Sequence, residues 1–169
     1  MIELSYQPLT SESFAPFGEV ISLGQAKQIS INQGLTTRFH DLFTIDCNEQ
    51  GGRPIVSVFR TEPLPLPHHV KFMERHPLGS QAFLPIGQFP FIVLVALPGE
   101  ELSADKLMLF KTNGCQGINF YKNTWHHFQI GIGQTRDYIV IDRGGDGNNL
   151  EERGLDIDVV IPESVITNL

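Results

Sequence analysis

The chain has 169 residues, 41% of them apolar and 18% charged, a balance that supplies the core of one globular domain and excludes a disordered polymer. Its 12 Lys and Arg against 19 Asp and Glu leave a net charge of −7 with no basic stripe, which argues against nucleic acid and anionic membrane as partners. The 16 Gly and 11 Pro punctuate the chain too densely for a helical bundle.

In chain order, Thr10-Ser11-Glu12 is the one strong helix start, capping a turn that carries Phe14 and Phe17 until Gly18. Short runs rich in β-branched and aromatic residues follow, each closed by Gly, Pro or Asn. They are Glu19–Leu23, Ile29–Asn32 and Pro54–Arg60, then Gln81–Pro85, Phe89–Leu97, Leu107–Thr112, Ile118–Tyr121, Trp125–Ile130, Arg136–Asp142 and Ile157–Ile161. Between the third and fourth, Pro63-Leu64-Pro65-Leu66-Pro67 reads as an extended connector. His68 and His69 after it read as exposed loop residues, and a second short turn starts at Ser103. About ten strands without long crossover helices predict one all-β domain over 1–169, an antiparallel jelly-roll sandwich with one or two short helices.

The longest apolar run, Phe91–Leu97, falls far short of the roughly 20 residues of a membrane helix. The start MIELSYQPLT lacks a signal profile, and Cys47 and Cys115 show no metal spacing. A cytoplasmic protein with reduced thiols is expected.

The chemistry concentrates in two places. If Met73–Gln81 is extended, Glu74 and His76 share one side and Arg75 takes the other. Where His126 and His127 follow Trp125, only one of the pair can face inward, and His126 is the choice; His127 is expected on the opposite face. Asp41 and Asp142 read as turn or ion-pair residues, and Gly144-Gly145-Asp146-Gly147 has no helix after it that would make a phosphate cradle.

An ordered set of stretches then stands out: Ile31-Asn32-Gln33-Gly34, Arg38-Phe39-His40-Asp41-Leu42, Glu74 to Phe83, Trp125-His126-His127, and Ile141-Asp142-Arg143-Gly144-Gly145. Together they resemble the ureidoglycolate lyases of allantoin degradation, which have a cupin-type barrel. The resemblance implies cleavage of (S)-ureidoglycolate to glyoxylate and urea, and a homodimer, for which free sheet edges give a physical reason. It aligns Glu74, His76, Gln81 and His126 with the metal-ligand positions of cupins. Glu in place of one His and Gln in place of Glu imply a weak or optional divalent ion such as Ni, Mn or Zn.

The implied reaction needs a base, an acid and a cationic clamp. His126 and Glu74 are the proton-handling pair, with His76 as alternative. Arg38, Arg75 and Arg143 are the clamp candidates for the substrate carboxylate, and Gln81 and Phe83 complete the pocket wall. Two competing readings are an amidohydrolase that releases ammonia from the same substrate and a non-catalytic cupin that binds a small carboxylate.

Overall fold

The predicted cap forms. In the computed structural model, which describes residues 1–99 and 101–166, the Thr10 hydroxyl accepts from the Ser13 amide at 3.1 Å and starts α1 (Ser11–Phe14). This one turn drops Phe14 and Phe17 into the core, where both rings pack edge-on against Phe110. The remaining described architecture is β: β1 (Ile2–Glu3), β2 (Tyr6–Pro8), β3 (Gly18–Ile21), β4 (Lys27–Ile31), β5 (Thr36–His40), β6 (Arg53–Thr61), β7 (His68–Arg75), β8 (Gln81–Pro85), β9 (Ile92–Ala96), β10 (Met108–Lys111), β11 (Gly117–Phe120), β12 (Trp125–His126), β13 (Arg136–Gly144) and β14 (Glu151–Ile161). A short 3-10 turn, Ala104–Lys106, follows Ser103 as expected.

Two sheets face each other. The seven-stranded one runs β1-β14-β7-β12-β9-β10-β2 and the five-stranded one β3-β11-β8-β13-β6, while β4 and β5 form a separate two-stranded ribbon. Between the sheets lies an aromatic core that includes Phe14, Phe83, Phe91, Phe110, Phe120 and Tyr138. Alternation along β9 divides its side chains: Val93 and Val95 enter this core, and Ile92, Leu94 and Ala96 enter a second one with Trp125, Met73 and Val159. The fold is thus the expected all-β cupin-like sandwich, curled toward a barrel. No helix among the described residues is long and apolar enough to cross a membrane.

Four strands lay outside the sequence reading, namely β1, β2, β5 and β7. The pairings β1–β14 and β2–β10 are parallel, where only antiparallel ones were expected. No crossover helix is needed, because the N-terminal segment reaches two sheet edges whose strands arrive from far along the chain. β1 and β2 flank opposite edges of the larger sheet although only Leu4 and Ser5 separate them, so the sheet's two edges curl close together.

His68 and His69 correct the loop assignment by opening β7. His69 is exposed and holds Asp158 at 2.7 Å, while His68 points at His127. The connector before them is not extended throughout: Pro63 bridges Gly131 and Leu64 donates to the Gly131 carbonyl, but the chain bends at Leu66 and Pro67.

Candidate active site

Neighbouring strands bring the two distant motifs together. His126 on β12 lies directly opposite Glu74 on β7, and the turn before β12 is set by Asn123, whose φ of 67° suits Asn better than most side chains. The Asn123 amide donates to the His76 carbonyl at 3.0 Å, tying that turn to the end of β7. β8 of the facing sheet contributes Gln81 and Phe83, and β13 places Asp142 behind Gln81. The candidate site therefore lies between the sheets. An open cavity of about 440 Å3 reaches it, with Glu74, Gln81 and Phe83 in its wall.

Hydrogen bonds fix which atoms face inward. The His76 Nδ1–H donates to the Asn149 carbonyl at 2.6 Å, so the neutral ring turns a bare Nε2 toward Gln81 Oε1 at 3.2 Å. Gln81 is oriented in turn, because its amide nitrogen donates to Asp142 Oδ2 at 3.4 Å. The His126 Nδ1–H donates to the Thr124 carbonyl at 2.9 Å, leaving Nε2 bare and 3.5 Å from Glu74 Oε1. That separation is too long for a hydrogen bond and becomes a charge contact only when the ring carries a second proton, and His126 Nε2 is buried without a hydrogen-bond partner. Four acceptor atoms, from Glu74, His76, Gln81 and His126, thus converge with no donor among them when both rings are neutral. Such an arrangement calls for a shared proton or a cation.

The donor set fits a cation. The ligand atoms of Glu74, His76 and His126 lie within 4.8 Å of one another, two imidazole nitrogens and a carboxylate oxygen of the kinds that would hold a divalent ion. Gln81 Oε1, 3.2 Å from His76 Nε2, would add a neutral oxygen donor.

Electrostatics follows from burial. Desolvation pushes the Glu74 carboxyl up, but His126 at 3.5 Å, with His76 and His127 behind it, outweighs this and holds the group below its ordinary value. Burial pushes His76 down, and the neighbouring His126 adds to the shift. His126 itself is 1% exposed and stacks on Phe120 with ring centroids 4.2 Å apart. It supports Glu74 from beneath, and Glu74 is the member of the pair that lines the cavity.

His127 departs from expectation. β12 ends at His126, so strict alternation stops there, and His127 turns to stack on Phe72, two residues before Glu74 on β7. Its Nε2 meets that of His68 at 3.3 Å, and burial, with His68 adding, lowers its pKa to about 4.

The clamp candidates lie outside this cavity wall. Arg75 takes the other side of β7, as period two requires, where it pairs with Glu151 at 2.6 Å and covers Trp125. Arg143 is buried and donates to the carbonyls of Glu49 and Asp146, bracing the loop before β6. Arg38 stands exposed on the β4–β5 ribbon. The cavity wall instead contains Arg60, bound through two hydrogen bonds to Asp137, and Gln129. Their sequence contexts, an edge strand and a stretch read as continuous strand, carry no signal for a site.

Residues 1–162 match the model of a protein family described as ureidoglycolate lyase. The chain is 54% identical over 155 residues to a ureidoglycolate lyase of Burkholderia mallei, covering 92% of this chain and 91% of the relative. It is 45% identical over 160 residues to one of Rhizobium etli, covering 95% and 96%, and 43% identical over 152 residues to one of Pseudomonas putida, covering 90% and 91%. With strands, site and similarity running the same length, the chain belongs to the ureidoglycolate lyase family.

Proposed function

We propose that the protein cleaves (S)-ureidoglycolate to glyoxylate and urea in the cavity beside Glu74, as a cytoplasmic homodimer. The supporting observation is the position of Glu74, at the wall of a cavity between the sheets and 3.5 Å from His126 Nε2. Cleavage reverses an addition. The carbinol O–H bond breaks, its electrons form the aldehyde C=O, the C–N bond breaks, and the ureido nitrogen takes a proton. Glu74 does both halves of the proton work: its carboxylate accepts the hydroxyl proton and then returns it to the departing nitrogen, so no water is consumed. His126 is a positioning residue that keeps Glu74 ionised and turned to the cavity, and His76 is the reserve base. The Arg60 guanidinium is the group offered to substrate oxygens, with Phe83 as an apolar wall.

Glu74, His76, Gln81 and His126 are the residues that would hold a divalent ion, Ni, Mn or Zn. Bound there, it would supply positive charge that lowers the pKa of the substrate hydroxyl. Glu74 and Glu62 make the cavity wall acidic and its one arginine already faces Asp137, so an anionic substrate gains from that charge.

A product assay tests the reading. Equal urea and glyoxylate without ammonia are expected, and a chelator is expected to lower the rate. Stoichiometric ammonia would establish the amidohydrolase instead, and glyoxylate binding without turnover would establish a carboxylate-binding protein.

A further inference from the structure

The segment that joins β13 to β14 crosses from the five-stranded sheet to the seven-stranded one and passes the candidate site on its way. Two anchors set its position. Arg143, near the end of β13 and only 5% exposed, donates to the Glu49 carbonyl at 2.7 Å and to the Asp146 carbonyl at 2.8 Å. Farther along, Asn149 Oδ1 accepts from the Leu78 amide at 2.8 Å, while the backbone carbonyl of the same residue accepts from His76 Nδ1–H at 2.6 Å. One residue thus holds both ends of His76-Pro77-Leu78. The fit is close, since a Cβ at Gly147, whose φ is 95°, would lie 2.7 Å from Leu78 Cδ1.

Each neutral tautomer of His76 has a partner. A proton on Nδ1 is donated to the Asn149 carbonyl at 2.6 Å, and a proton on Nε2 would be donated to Gln81 Oε1 at 3.2 Å. In either form the bare nitrogen faces an oxygen, and that repulsion is greater at the shorter distance. The Asn149 carbonyl therefore keeps the proton on Nδ1 for as long as the loop holds it close. A retreat of about 1 Å would break the bond and leave Gln81 as the one partner. Only the Nδ1–H form leaves Nε2 bare to act as a base or a ligand.

We infer that the loop of residues 145–149 is a tautomer lock on His76, with Asn149 as the positioning residue and Arg143 as the brace that keeps it within reach. The Ile141–Gly145 stretch then serves the site without touching substrate. Asp142 turns Gln81 Oε1 toward His76, and Arg143 steadies the loop whose carbonyl outcompetes it.

The effect on turnover rests on the proposed function, whereas the lock is read without substrate. Imidazole 15N resonances of histidine-labelled protein report the tautomer, recorded at pH 8 with a chelator so that no ion fixes the ring, and assigned with His76→Gln. The ring is neutral there, because burial and His126 hold its pKa below 6.5. The wild type is expected to carry the proton on Nδ1. Asn149→Ala is expected to bring up the Nε2–H form, and Asn149→Asp, which keeps an acceptor for the Leu78 amide, to restore the wild-type pattern. Unchanged His40 and His69 resonances show that each variant is folded. In Asn149→Ala, kcat is expected to fall about 10–100-fold with KM little changed, the range for groups that orient a working imidazole. A wild type on Nε2–H, or an Asn149→Ala protein still wholly on Nδ1–H, overturns the lock. A shifted tautomer with an unchanged kcat upholds the lock and removes His76 from the reaction.

Discussion

Replacing Glu74 by Gln keeps the side chain's size and removes its charge and its ability to accept the hydroxyl proton. Glu74 lines the cavity and lies 3.5 Å from His126 Nε2, so the change strikes the proton transfer and the electrostatic contact beneath it. General-base groups contribute about 10²–10⁴-fold, roughly 3–5 kcal/mol of barrier. The loss is expected in kcat more than in KM, because the proton moves only in the transition state. Initial rates of urea and glyoxylate formation, taken across pH, measure it. His126→Ala gives the companion curve. The wild type stays active until pH falls below the ordinary carboxylate range, because Glu74 is held below it. Without His126, burial acts on Glu74 with less opposition, and the acidic limb moves to higher pH. A Glu74→Gln enzyme within threefold of wild-type kcat would refute the proton role assigned here. An unmoved acidic limb in His126→Ala would refute the positioning role.

Stability is expected to fall with acidity through His127. Its folded pKa is near 4 against 6.5 for the unfolded chain, so the unfolded state takes up a proton first. The stabilisation is whole above about pH 6.5 and is lost progressively down to pH 4, by about 3 kcal/mol. Denaturant melts of wild type and His127→Phe at pH 7 and 4.5 test this, the variant showing the shallower dependence; equal slopes would count against it. Gly79→Ala would put a Cβ 2.6 Å from Arg143 Cβ and 3.0 Å from the Asp46 carbonyl oxygen. It is expected to cost about 1–3 kcal/mol in a thermal melt, and an unchanged Tm would show that the loop yields.

The fold was legible wherever strand residues are β-branched or aromatic and turns carry Gly or Pro. Gln81–Pro85 was found to the residue, the Thr10 hydroxyl caps its turn, and a 3-10 turn follows Ser103 although that hydroxyl makes no cap bond. β7 hid because His68, His69, Lys71 and Glu74 make a central strand look like a solvated loop, although β14 and β12 cover both its edges. Glu74 and His76 were placed on one face by period two, but that His126 would lie opposite Glu74 is a matter of register between strands some fifty residues apart. Period two also misplaced His127, since the rule lapses where a two-residue strand ends. Arg60 and Gln129 carry no local mark: they border the cavity through tertiary packing.

The opening eight residues bear on how the molecule is made. They pair at one end with Val159 and Val160 and at the other with Leu109, Phe110 and Lys111. A ribosome delivers this clasp about 150 residues before its anchor at Val159 and Val160, so the seam it fastens can shut only after those late residues have emerged. Until then residues 2 and 3 must wait without their strand partners, and removing residues 2–8 would leave two sheet margins open to neighbouring molecules.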